Sequence, residues 1–92
     1  MTRKLIAGNW KMNGGLAANE ALVRALLAGV GQPACDVAVC APAPYLAQLQ
    51  RLLDGSPLAW GSQDVSAHEQ GAYTGEISAA MLRDFGCRHA IV

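Results

Sequence analysis

Four short apolar runs alternate along this chain with three segments of helical periodicity, and that alternation constrains the fold more than any other feature. Lys4–Gly8 reads as a short buried strand. Over Leu16–Val30, the residues Leu16, Leu22, Val23, Leu26, Leu27 and Val30 recur at three- and four-residue spacings among alanines, which predicts a helix. Gly29, Gly31 and Pro33 end it. Asp36–Ala41 reads as a strand buried on both faces. Pro42 and Pro44 mark the following turn, and Tyr45–Leu53 is a second helical segment closed by Asp54-Gly55. Leu58–Gly61 reads as a third strand. Ser78 is an N-cap candidate for a helix over Ala79–Phe85, with Gly86 as its stop. His89–Val92 begins a fourth apolar run. Strands alternating with helices predict a parallel sheet with right-handed crossovers. Four such strands and three helices form an open sheet with bare apolar edges, so an incomplete domain over residues 1–92 is expected.

Composition narrows the class of protein. Hydrophobic residues make up 52% of the chain and charged residues 15%, too apolar for intrinsic disorder. The formal net charge is zero and no basic block stands out, so no nucleic-acid partner is expected. No stretch approaches the ~18 apolar residues of a membrane span. The apolar run after Arg3-Lys4 stops at Asn9, short of a signal sequence, so a cytoplasmic, membrane-free protein is expected. Cys35, Cys40 and Cys87 are odd in number and irregular in spacing, which suits reduced thiols. Cys87 and His89 lack a second ligand pair, so no metal is expected.

Two stretches can carry chemistry. The first, "GNWKMNGG" over Gly8–Gly15, sets Asn9 and Lys11 where the first strand turns toward the first helix. Parallel α/β folds bind ligands at the carboxyl ends of their strands. A lysine there offers a point charge to an anion, and an asparagine offers a donor and an acceptor. The plainer reading is a surface turn around Asn13-Gly14 with a solvated lysine. Neither a P-loop nor a dinucleotide fingerprint fits the glycine spacing, so no nucleotide cofactor is expected. The second stretch, Gln63–Glu76, is a polar, glycine-containing loop of a length that usually serves function. Its His68-Glu69 pair reads as solvated. Its tip, with Tyr73 and Thr74 beside Gly75, suits insertion into a partner's pocket.

"GNWKMNG", "YLAQL" and "GSQDVSAHEQGAYTGEISAAMLRDFGC", in this order, resemble the N-terminal part of the triosephosphate isomerase family across the whole chain. The resemblance implies an α/β fold of strand-helix-strand-helix-strand-helix-strand order, the N-terminal part of a (β/α)8 TIM barrel. It implies a homodimeric, cofactor-free glycolytic and gluconeogenic isomerase. Such an enzyme interconverts dihydroxyacetone phosphate and glyceraldehyde 3-phosphate by proton transfer through an enediolate. By that resemblance Asn9 and Lys11 bind substrate, Lys11 adds charge near the enediolate, and Trp10 packs beneath the turn. Loop 63–76 docks on a neighbouring subunit. Thr74 reaches the partner's Asn9, Glu76 and Tyr73 belong to the interface, and Met12 is covered by the partner's loop. Asp64 stands where the family commonly has asparagine, and Tyr73 replaces a usual phenylalanine. The family's catalytic histidine follows the fourth strand and its base comes much later. Neither is among these residues, and a complete barrel takes ~250 residues. The chain alone is therefore expected to be inactive. Two alternatives stay open: a non-catalytic half-barrel that assembles with a partner chain, and a Rossmann-like cofactor domain.

Overall fold

The computed structural model describes residues 3–92. Its elements are β1 (Leu5–Asn9), α1 (Leu16–Val30), β2 (Asp36–Cys40), a 3-10 turn (Ala43–Tyr45), α2 (Leu46–Leu53), β3 (Leu58–Ser62), α3 (Ala79–Asp84) and β4 (His89–Ala90). The four strands form one parallel sheet in the order β1-β2-β3-β4. Each strand lies beside the one before it, so the order never reverses. A Rossmann fold needs such a reversal to open its cofactor crevice, and the Rossmann-like alternative falls on this point.

The sheet curls. Cα atoms of β2 and β4 come within 8 Å although β3 lies between them. Two strand spacings in a flat sheet would hold them about 9.5 Å apart. Consecutive order with curvature is the geometry of a barrel wall.

Alternation along β2 and β3 sorts the core into two faces. Val39 and Ala41, with Leu58 and Trp60, join Leu46, Leu49 and Leu53 of α2, Val23 of α1 and Leu82 of α3 in one buried cluster. Ala38 and Cys40, on the other face of β2, are buried as well. The expectation of a strand buried on both faces therefore holds for the second half of β2. The separate expectation of a short buried strand over Lys4–Gly8 fails: β1 is exposed along its whole length, Leu5 to 47% and Ile6 to 57%. Among the described residues β1 pairs only with β2, and Leu5 and Ile6 are exposed.

The buried stripe of α1 also differs from the apolar pattern of its sequence. Leu16 and Leu22 are exposed, while Asn19 and Val23 are buried and Leu26, Leu27 and Val30 are half-buried. The inward face thus starts at a polar residue. The ends of the elements have local causes. Gly31 closes α1 at φ 57°, and the Ser78 side chain caps α3 by accepting from the Met81 N–H. The proline-containing segment before α2 is a 3-10 turn, so the second helix starts at Leu46 and not Tyr45.

The Trp60 indole N–H donates to the Phe85 carbonyl at 2.6 Å, tying β3 to the end of α3. Gly61 follows on β3 and pairs with His89, and a Cβ there would run into the His89 carbonyl. Backbone cannot yield as a flexible side chain does. Gly61→Ala should therefore destabilise the fold by about 1–3 kcal/mol, seen as a lower midpoint in chemical denaturation with most of the loss in β3–β4 pairing.

Candidate functional site

The first turn begins where β1 ends. The Trp10 N–H donates to the Cys40 carbonyl at 3.0 Å, extending the β1–β2 ladder by one bond. The chain then bends sharply. Lys11 has φ 55°, the left-handed region, and no other non-glycine residue described here has a positive φ. That conformation costs an L-residue with a Cβ about 1–2 kcal/mol. The turn is held by side chains: the Lys11 N–H donates to Asn9 Oδ1 at 2.9 Å, and Asn13 Nδ2 donates to the Trp10 carbonyl at 2.9 Å. Trp10 itself is half-buried against the core cluster, as expected.

Gln63, the first residue after β3, completes the arrangement. Its Nε2 lies 2.8 Å from the Lys11 carbonyl, 3.1 Å from the Cys40 carbonyl and 3.3 Å from Asn9 Oδ1. One side-chain amide therefore ties the ends of three strands to the strained residue. Residue-by-residue reading passed over Gln63, because a glutamine after a strand carries no signal of its own. What could have found it is its position at the carboxyl end of a strand two places from β1.

The result is a cation held by its backbone and left free at its tip. Among the described residues the Lys11 ammonium joins no ion pair, and the side chain is exposed. Asn9 Oδ1 is occupied by the turn, while its Nδ2 has no partner among the described residues. Lys11 and Asn9 thus present N–H donors at the carboxyl end of the sheet, which suits an anion or a carbonyl oxygen.

Loop 63–76 is built as a self-closed unit. The Ser66 N–H donates to the Ile77 carbonyl at 2.8 Å, closing its base. The Ser66 hydroxyl donates to Glu76 Oε1 at 2.6 Å and accepts from the His68 N–H at 3.0 Å. The His68 and Tyr73 rings stack face to face, their centroids 4.0 Å apart. A Cβ at Gly71, where φ is 136°, would meet the Tyr73 ring at 2.9 Å, so glycine there leaves room for the stack. Glu76 therefore braces its own loop. Tyr73 lies flat on His68, 43% exposed, and Thr74 is exposed beside it. Among the described residues no hydrogen bond brings Thr74 to Asn9 or Lys11. Met12, next to Lys11, is 95% exposed.

A cleft of about 310 Å³ runs between the segments after β2 and β3, lined in part by Pro42, Gln63, Ser66 and Glu76. It meets the first turn only through Gln63. The three cysteines are free thiols. Burial pushes the Cys40 thiol up, and burial followed by the charge of Cys40 does the same to Cys87. Neither is poised as a nucleophile. Among the described residues no three His, Cys, Asp or Glu side chains gather in a way that could hold a metal ion. No helix of the described residues is long and apolar enough to cross a membrane.

A curled, consecutively ordered parallel sheet with a strained, lysine-bearing turn at the carboxyl end of its first strand defines a segment of a (β/α)8-barrel protein. The family model for triosephosphate isomerase matches residues 4–92, and the chain belongs to that family. The triosephosphate isomerase of Herminiimonas arsenicoxydans is 64% identical over 92 residues, covering all of this chain and 37% of that protein. The triosephosphate isomerase of Albidiferax ferrireducens matches at the same identity and coverage. The crystal structure of triosephosphate isomerase from Bartonella henselae superposes with a TM-score of 0.90 at 37% identity, covering 99% of this chain and 38% of that one. The chain thus spans a little over a third of the length of the relatives it matches, and its sheet is the N-terminal part of a TIM barrel.

The strain at Lys11 gives a direct check on this geometry. Glycine adopts positive φ at no steric cost. Lys11→Gly should leave stability unchanged or raise it by about 1 kcal/mol, measured by denaturant titration, even though a side chain is lost. A clear destabilisation would mean that the lysine stem, and not the strained backbone, holds the turn.

Proposed function

We propose that this chain supplies the first part of a triosephosphate isomerase active site, with Asn9 and Lys11 as its substrate-binding residues. The observation that carries the reading is the uncommitted Lys11 ammonium on a left-handed backbone fixed by Asn9 and Gln63. Strain of this kind persists only where the surroundings over-determine it, and it concentrates at functional sites. The substrate is a small sugar phosphate, a dianion near neutral pH. Proton transfer between its two carbons passes through an enediolate, which places new negative charge on oxygen. A fixed cation needs no reorganisation when that charge appears, which is why such groups accelerate this class of step. Lys11 attracts the phosphate and stabilises the enediolate, and Asn9 Nδ2 donates to a substrate oxygen. The histidine and the carboxylate base that the family uses are not among these residues, so the chain by itself does not turn over.

The partner we propose is a second copy of the complete protein, in the cytoplasm, with no cofactor, nucleic acid or membrane involved. Loop 63–76 docks on that copy. Thr74 reaches the partner's first turn, with Tyr73 and Glu76 at the interface, and Met12 lies under the partner's loop. The exposure of Met12 and the pre-closed loop support this arrangement. The bare β1 supports a related reading, in which this half-barrel assembles with a separate chain that completes the sheet.

In the complete protein, Lys11→Met should lower kcat/KM for triose phosphates by about 10²–10³-fold while the fold is kept. Lys11→Arg should also be badly impaired, because the planar guanidinium is broader than the compact ammonium that the turn positions. A Lys11→Met enzyme with unchanged kcat/KM returns the stretch to an ordinary surface turn. Deleting Tyr73–Gly75 should shift the complete protein toward monomer and weaken turnover together. A full-strength dimer after that deletion, read by sedimentation, removes the interlocking role.

A further inference from the structure

The entrance of the lysine turn is fixed by Asn9 and Gln63, but its exit is fixed by residues that no part of the proposed chemistry uses. Gly15, the N-cap of α1, has no side chain to cap the helix. The helix is capped from within. The Gly15 N–H donates to Asn19 Oδ1 at 3.2 Å, and the Asn19 N–H donates to the Gly15 carbonyl at 2.8 Å. Asn19 Nδ2 then donates to Gln48 Oε1 at 3.1 Å, and Gln48 Nε2 donates to the Leu16 carbonyl at 2.7 Å. Tyr45 adds a bond from its hydroxyl to the Gly14 carbonyl at 3.1 Å. Gly14, at φ 136°, is wedged between Asn19 and Tyr45. A Cβ there would lie 2.8 Å from Asn19 Oδ1 and 2.9 Å from the Tyr45 ring.

Asn19 is 2% exposed and Gln48 is 8% exposed, each on the buried face of its helix. Buried amides are costly when unpaired, and apolar residues would fill those positions more cheaply. Two amides that pair with each other and with both ends of the turn's exit form a joint between α1 and α2. Its first anchor, Gly15, lies four residues from the strained Lys11.

We propose that Asn19 and Gln48 are positioning residues for Lys11: the α1–α2 amide joint, with Tyr45 beside it, sets where the turn ends and so how far the ammonium reaches. This rests on the reading of Lys11 given above. The chemistry tolerates little displacement, since a shift of about 1 Å at a reacting centre can cost on the order of 10²-fold.

The test uses the complete protein with the double substitution Asn19→Leu/Gln48→Met. Removing both partners for apolar groups of similar size spares the core an unpaired amide. The expected result is an unchanged denaturation midpoint and a fall in kcat/KM for triose phosphates of about 10–100-fold. Amide exchange should quicken at Lys11, whose N–H is bonded to Asn9, and stay unchanged at Val23. The deciding measurement repeats the double substitution in a Lys11→Met background. A joint that acts through Lys11 should cost little further activity there. An equal loss in both backgrounds, or equally faster exchange at Val23, makes the joint merely structural and overturns the proposal. So does full activity in the double variant. If the double variant does not fold, Gln48→Met alone keeps the Asn19–Gly15 bond and is judged by the same comparison. Failure of the underlying reading looks different: Lys11→Met itself then keeps its kcat/KM.

Discussion

The carbonyl of Cys40 accepts from both the Trp10 N–H and the Gln63 side chain, and the rest of the site depends on that meeting. It lies at the carboxyl end of β2, between the ends of β1 and β3. A buried carbonyl has two lone pairs, and here each finds a donor from a different segment. The first bond carries the ladder one residue beyond β1. The second brings in an amide whose other contacts reach Asn9 and the Lys11 carbonyl. Three strands thus converge on one turn, and Lys11 is held in a conformation that it would otherwise leave.

Strain at one residue needs anchors on both sides. Asn9 and Gln63 hold the entrance, while Gly14, Gly15, Asn19, Tyr45 and Gln48 hold the exit. The glycine at 14 is required by space as well as by dihedral angle, because two side chains close over it. The turn is thereby linked to β3 and to both of the first two helices. That linkage suits the substrate-binding role proposed for Lys11: a preorganised charge at the carboxyl end of a strand, supported by packed neighbours.

Along β1 the same sheet has, among the described residues, one unpaired edge, and Leu5 and Ile6 are exposed. Loop 63–76 is instead closed on itself through Ser66, Glu76 and the His68–Tyr73 stack. A loop ordered before it meets a partner loses less entropy on docking. These two surfaces differ in kind. One is an open hydrogen-bonding edge with apolar faces; the other is a shaped projection, in keeping with the docking role proposed for it.

The alternation of apolar runs and helical periods made the element order legible from sequence, because period-2 and period-3.6 patterns follow from backbone geometry alone. Ser78 as a cap and Gly31 and Gly86 as stops were legible for the same local reason. Asn9 and Lys11 stood out by their position at the carboxyl end of the first strand, where a surface turn remained the plainer reading, and it was the family resemblance that gave them roles. The exposure of β1 could not be read this way, since burial depends on which neighbours are present. Gln63, Asn19 and Gln48 were not legible either. An amide has no periodic signature, and its value lies in partners 23 to 54 residues away or one helix turn away. Sequence by itself determined the elements, their order and the positions of the cation and its asparagine. Only the tertiary structure decided which strand ends meet at Cys40, which amides hold Lys11 in place, and that α1 turns a polar residue inward, because those outcomes rest on contacts between segments distant in the chain.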